Sequence, residues 1–210
     1  MTETEAPDER RGGWAETSAP VHPLIAGRWS PRSLDPTATV SEEALRALFE
    51  AARWAPSWGN TQPARYLLGR RGDDTFDRIL QTLNRGNRGW AQSAGALVVG
   101  VATVLDGTGQ PLPYAEYGLG LATQNLVLQA VAEGLVAHQM AGFDSDAVAE
   151  LFDIPDSHEA RVVIAVGHLA APGTGDPVTR ERDARPRVRR DLSELVFHGD
   201  WAHPAYPGAD

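Results

Sequence analysis

Residues 114–134 read YAEYGLGLATQNLVLQAVAEG. Their spacing predicts a long helix whose second half has almost no polar face. A helix apolar nearly all round is buried, either at a domain centre or across a subunit interface. Just upstream lies GALVVGVATV (95–104), an apolar, β-branched run of strand length. Downstream come a strand over 135–140, a helix over 145–152 capped by Asp144, and the buried strand RVVIAVGHL (161–169). Further out, Ser41 caps a helix over 41–54, with Glu42 and Glu43 at its positive end and Leu45, Leu48, Phe49 and Ala52 on one face. That helix stops at Pro56 and is followed by the strand RYLLG (65–69). A helix over 73–84 then carries Phe76, Ile79, Leu80 and Leu83 at helical spacing. Helices alternating with apolar strands give a three-layer α-β-α arrangement.

The flanks read differently. Residues 1–20 are polar with few apolar anchors and are expected to form a disordered tail, leaving 21–210 as one domain. Beyond Ala170 the chain is rich in Pro and Gly, then in Arg, and it ends in aromatic residues, the pattern of an extended arm. A formal net charge of −9 argues against a nucleic-acid binder or a polybasic membrane anchor. No apolar run approaches the ~18 residues of a membrane span, and the N-terminus lacks the apolar core of a signal peptide, so a cytoplasmic location is expected. The absence of Cys removes disulfides, thiol nucleophiles and Cys-metal sites. All 19 basic residues are Arg, which also excludes Schiff-base and P-loop lysines. The six His show no metal-ligand spacing, so no metal is expected.

Four segments carry chemistry. RERDARPRVRR (180–190) holds six of the 19 Arg against two acids. A guanidinium fork binds phosphate bidentately, so this is either a phosphate clamp or a solvated arm. GRWSPRS (27–33) places Arg28, Ser30 and Arg32 at alternate positions, where extended chain would converge two guanidiniums and a hydroxyl on one anion. APSWGNTQP (55–63) is a turn-rich loop able to present small polar groups and Trp58 to a ring, or simply a helix stop. In HQMAGFD (138–144), Gly142 lets backbone approach a ligand closely, or merely turns from strand to helix.

Taken in order, these segments resemble the FMN-dependent nitroreductase family. The likeness runs from about Leu24 to Trp201 and is strongest in RWSPRS (28–33), ARWAPSWGNTQP (52–63) and NRGWAQSAGALVV (87–99). YGLGLATQNLVLQAVAEGL (117–135), MAGFD (140–144), VIAVGH (163–168) and PRVRRDLSELV (186–196) complete it. The resemblance implies an α+β fold with a mixed central sheet between helices, in a homodimer whose C-terminal arms wrap the partner and whose two FMN sites lie at the interface. It also implies roles. Arg28, Trp29, Ser30 and Arg32 would hold the phosphate and one edge of the isoalloxazine, and Arg187 and Arg189 would complete the phosphate clamp. Pro56, Ser57, Trp58 and Asn60 would reach the flavin from the other subunit, and Asn87 would bond its pyrimidine end. Gln139, Met140, Ala141 and Gly142 would lie along the ring, with the Gly142 N–H near N5. No side chain need act as acid or base, because hydride passes from NAD(P)H through N5 to a small acceptor by ping-pong kinetics.

The chain departs from better-known members of that family in three places. Ala141 stands where some carry Glu, Trp58 stands where a small residue is frequent, and the short segment LDGTGQPLP (105–113) leaves no room for a helical lid. The expected activity is reduction of nitro compounds, quinones or activated carbonyl and alkene compounds. The alternative is a non-catalytic dimer that stores or senses FMN.

Overall fold

The computed structural model describes residues 14–208. Four strands, β1 (Ala64–Arg70), β2 (Ala96–Thr103), β3 (Val136–Met140) and β4 (His158–Gly167), form one sheet in the order β1-β2-β4-β3. Every pairing is antiparallel, which corrects the expected mixed sheet. The reason is topological. β2 and β3 run the same way, but β4 inserts between them, so the parallel pair never forms. β4 also begins earlier than its apolar run, because a bulge at Gly100/Val101 lets His158–Ala160 continue pairing with β2.

Helices cover both faces, giving the α+β class and the three layers. On one side α2 (Glu42–Arg53) and α5 (Ala115–Ala132) bury Leu45, Leu48, Leu126 and Val127 against Ala96, Val98, Ile164 and Val166. On the other, α3 (Asp74–Thr82), α4 (Arg85–Ala91) and α6 (Ser145–Leu151) bury Phe76, Ile79, Trp90 and Val148 against Leu97, Val99 and Val163. β2 is thus packed on both faces, as its unbroken apolar run requires. Of the two places open to α5, one face takes the domain centre. Along its other face Tyr117 is exposed while Leu121, Leu128 and Val131 are half-buried.

Ser41 caps α2 through the Ala44 N–H, as its position predicts. The single helix expected over 73–84 ends sooner. Leu83 turns extended and bridges Phe143, and Asn84 then accepts the Asn87 N–H to start α4. Besides α4, two other short helices were not foreseen, α1 (Pro23–Gly27) and α7 (Pro177–Asp183), the latter capped by Asp176 inside the arm. Of the expected N-terminal tail, residues 1–13 lie outside the described residues; 14–20 are irregular, and the Ala15 N–H donates to the Ala26 carbonyl. The arm supplies almost nothing to the core, with Val188, Leu195 and Trp201 all more than half exposed. No helix of the described residues is long and apolar enough to cross a membrane.

Candidate functional site

The 28–33 segment meets the arm, two segments that the family resemblance assigns to one phosphate. Arg28 Nη1 donates to Ser30 Oγ at 3.2 Å, while Arg187 donates to the carbonyls of Ala26 and Arg28 at 2.9 and 2.8 Å. Burial, then the charges of Arg187 and Arg189, pushes the Arg28 guanidinium below its usual range. Arg187 moves the same way, through burial and then Arg189. No carboxylate of the described residues pairs with Arg28 or Arg189. Three guanidiniums are thus held together in an acidic protein, and like charges so placed lower one another's proton affinity.

What fixes this meeting is a residue the charge pattern counted only as an acid. Asp183, at the end of α7, is 8% exposed. Its carboxylate accepts the Arg32 N–H at 3.0 Å and the Ser33 N–H at 2.8 Å. The start of the arm is stitched to the same strip, since the Ala170 N–H donates to the Ser33 carbonyl and Leu34 bridges Leu169.

A second contact chain runs from this strip to Gly142. His138 on β3 engages the Pro31 carbonyl through Nδ1 at 3.0 Å and packs its ring 4.6 Å from Trp90. Burial is the main cause lowering the His138 pKa, so the ring is neutral at pH 7 and, facing a carbonyl, carries its proton on Nδ1. Trp90 sits one turn after Asn87 on α4. Asn87 Nδ2 donates to the Gly142 carbonyl at 3.0 Å, and the Asn84 N–H shares that acceptor at 3.1 Å. A Cβ at Gly142 would fall 2.2 Å from Asn84 Nδ2 and 2.8 Å from Asn87 Nδ2, so any side chain there would force these two amides to shift. Of the residues expected along a ring, Gln139 and Ala141 are exposed. The Met140 side chain is buried in the core, because alternation along β3 turns it inward with Val136 and His138. Trp29 is half-buried.

Between α4, α7 and residues 32–36 lies a cavity of about 370 Å³, lined by Arg32, Ser33, Trp90, Thr179 and Arg182 among others. Arg32 Nε, Ser33 Oγ and Trp90 Nε1 are buried without a hydrogen-bond partner. Each such group costs roughly 1–3 kcal/mol unless something meets it. Ser33, Trp90, His138 and Asp183 were not read as site residues. Trp90 alone left a signal, an indole at i+3 from Asn87 on one helix.

The 55–63 loop stands apart. Ser57 Oγ accepts the Gln62 N–H at 2.9 Å, and Gly59, Asn60 and Gln62 all take positive φ (52°, 57° and 48°). Trp58 is 54% exposed beside Tyr114, ring centroids 6.5 Å apart, so it belongs to no core. Among the described residues, no hydrogen bond of Pro56–Asn60 reaches the 28–33 segment, the arm or Gly142. The described residues contain no group of three metal-ligating side chains.

The nitroreductase family model matches residues 25–89 and 72–168. An uncharacterized 15.4 kDa protein of Mycolicibacterium smegmatis is 38% identical over 148 residues, 67% of this chain and 99% of that one. A Streptomyces coelicolor protein, named provisionally as an NADH dehydrogenase/NAD(P)H nitroreductase, is 32% identical over 67% of this chain and 79% of its own. A crystal structure described as an oxidoreductase containing FMN superposes with a TM-score of 0.83 at 30% identity, covering 90% of this chain and 96% of that one. With strips 28–33, 55–63 and 138–144 all lying inside the matched residues, the chain belongs to the nitroreductase family.

Proposed function

We propose that the protein binds FMN and acts as an NAD(P)H-dependent oxidoreductase on small organic acceptors, as a homodimer in the cytoplasm. The observation that carries this reading is the cluster of Arg28, Arg187 and Arg189, which suits the dianionic phosphate of FMN. The unpartnered donors at Arg32 and Trp90 and the glycine at 142 are consistent with a polar, flat ring laid beyond it. The structural likeness to an FMN-containing oxidoreductase supports the same cofactor. When bound, FMN supplies hydride relay at N5, from NAD(P)H to a nitro compound, quinone or activated carbonyl or alkene.

The chain's own residues bind and orient. Arg28, Ser30, Arg187 and Arg189 hold the phosphate, Arg32 and Asn87 face the pyrimidine end, and Ala141–Gly142 lie along the ring. Pro56, Ser57, Trp58 and Asn60 complete the site from a second copy, which accounts for a loop that engages nothing of the clamp in its own chain. No side chain here is placed as a general acid or base. Reductant and acceptor would share one open face, which predicts ping-pong kinetics. The test is anaerobic addition of NADH or NADPH to the FMN-loaded protein. Bleaching of the flavin absorbance within seconds supports the enzyme, and a yellow protein that does not bleach is a flavin store. A protein that stays colourless after FMN is added overturns the reading.

A further inference from the structure

The stretch RGNRG (85–89) repeats an Arg-Gly pair three residues apart, and beyond Asn87 none of it serves the phosphate cluster or the ring. On α4 that spacing sets Arg85, Arg88 and Gly89 along one face with Gln92, away from the buried Trp90 and Ala91. Together with Leu83 and Asn84 they line a cavity of about 470 Å³. No acid lines it, although the chain holds 28 acids to 19 Arg. Arg88 is anchored, its Nη2 donating to the carbonyls of Gln81 and, at 3.0 Å, of Leu83. Arg85 is exposed and has no hydrogen bond or ion pair among the described residues. Gly89 is equally telling. Its backbone is not left-handed, and a Cβ there would meet nothing within 4 Å. Glycine costs a helix stability relative to alanine, and nothing in this chain requires it here. Bare backbone beside two guanidiniums leaves room for a ligand at close approach.

We propose that this groove binds a phosphate of the nicotinamide dinucleotide reductant. The proposal rests on the NAD(P)H reading above and names where the chain holds the reductant, which that reading leaves open. A guanidinium pairs with phosphate through two parallel N–H bonds, and the Asn84 and Gln92 amides can donate beside it. The groove adjoins the proposed place of the ring, because Asn84 lines it and also donates its N–H to the Gly142 carbonyl at 3.1 Å. Ribose and phosphates trail from a dinucleotide's nicotinamide, so a nicotinamide over the ring near Gly142 directs them along α4. A small uncharged acceptor has no group for these guanidiniums, so the groove serves the reducing half of the cycle. The phosphate is either the pyrophosphate common to NADH and NADPH or the 2′-phosphate that NADPH alone carries.

The experiment uses the FMN-saturated full chain and two readouts. One is calorimetric titration with NADP⁺, which cannot reduce the flavin. The other is anaerobic bleaching by NADH, by NADPH and by the phosphate-free 1-benzyl-1,4-dihydronicotinamide. Arg85→Ala should weaken NADP⁺ about three- to tenfold, the range for an exposed charge-assisted contact. The half-saturating dinucleotide concentration should rise by the same factor, with the limiting bleaching rate and the benzyl compound unaffected. A rise for NADPH alone assigns the 2′-phosphate, and an equal rise for NADH assigns the pyrophosphate. Gly89→Ala should also weaken NADP⁺ while its melting temperature holds or rises, a combination that a merely structural glycine does not give. Unchanged NADP⁺ affinity and half-saturation in Arg85→Ala would overturn the proposal, as would an equal loss with the benzyl compound. A loss confined to 4-nitrobenzoate relative to nitrobenzene would make the groove an acceptor site and overturn it too. A wild type that takes up no FMN, or that none of the three reductants bleaches, counts against the underlying reading, while the NADP⁺ titration still decides the groove. Bleaching by the benzyl compound but by neither dinucleotide counts against the groove alone.

Discussion

The strip Arg28–Ser33 and the loop Pro56–Asn60 are both short, polar and irregular, yet the fold holds them in opposite ways. The strip is gripped from two distant elements: Asp183 takes its Arg32 and Ser33 N–H groups, and His138 takes its Pro31 carbonyl. The loop bonds mainly to itself, through Ser57 and Gln62, and leaves Trp58 half exposed. In the proposed dimer, a site assembled from such halves would be prepared on one side and open on the other, the gripped half fixing where a ligand sits and the self-contained half free to vary what else enters.

The sharpest way to break that contrast is Asp183→Ala. It strands one buried and one partly buried N–H group and releases the arm, so unfolding free energy should fall by about 2–4 kcal/mol in denaturant titration. FMN affinity should collapse with it, since Arg187 and Arg189 lose their register against Arg28. An Asp183→Ala protein as stable as the wild type would show that the arm does not hold the strip. Next in size, Arg28→Ala and Arg187→Ala should each weaken FMN by about 10- to 150-fold, one charge-assisted contact being worth roughly 1.5–3 kcal/mol. Arg70→Ala is the control, because that side chain pairs with Glu42 on the surface and should leave FMN binding unchanged. Equal affinities across the three would dissolve the clamp.

His138 offers a pH-gated test of the same grip. Its pKa is lowered in the fold, chiefly by burial, so the unfolded chain binds the proton more tightly. The stability held by neutral His138 is therefore present above the unfolded value of about 6.5 and is lost as pH falls below it. His138→Asn should remove that part of the slope below about pH 6.5, and an identical slope in both proteins would refute the assignment. The smallest stability effect is expected at the loop. Trp58→Ala should shift unfolding by less than about 0.5 kcal/mol, because the indole packs into no core. Its readout is selectivity: bulky acceptors should gain kcat/KM relative to small ones. A large fall in melting temperature with unchanged preference would make Trp58 structural after all.

Much of this molecule was legible along the chain. The caps at Ser41 and Asp144, the apolar periodicity of α2 and α3 and the unbroken β2 run are local signals, each satisfied within a few residues. The basic cluster was legible for a similar reason, because six Arg in eleven residues stand out whatever they touch. Leu83 shows where local reading stops. Its helical spacing is correct, but its extended backbone is set by Phe143, sixty residues away in sequence, and α4 begins only because of that break.

The sequence by itself therefore determined the four strands and the helices α2, α3, α5 and α6, that the chain carries the family's ordered motifs, and that an acidic protein concentrates cations at 28–32 and 180–190. These follow from spacing and charge, which need no partner to be read. Tertiary structure alone decided that β4 separates β2 from β3, that Met140 turns into the core, and that Asp183 locks a strip 150 residues before it. It alone brought Arg32, Ser33 and Trp90 to one cavity. Hydrogen bonds between residues so far apart in sequence leave no periodicity to detect, because their geometry exists only once the layers have packed.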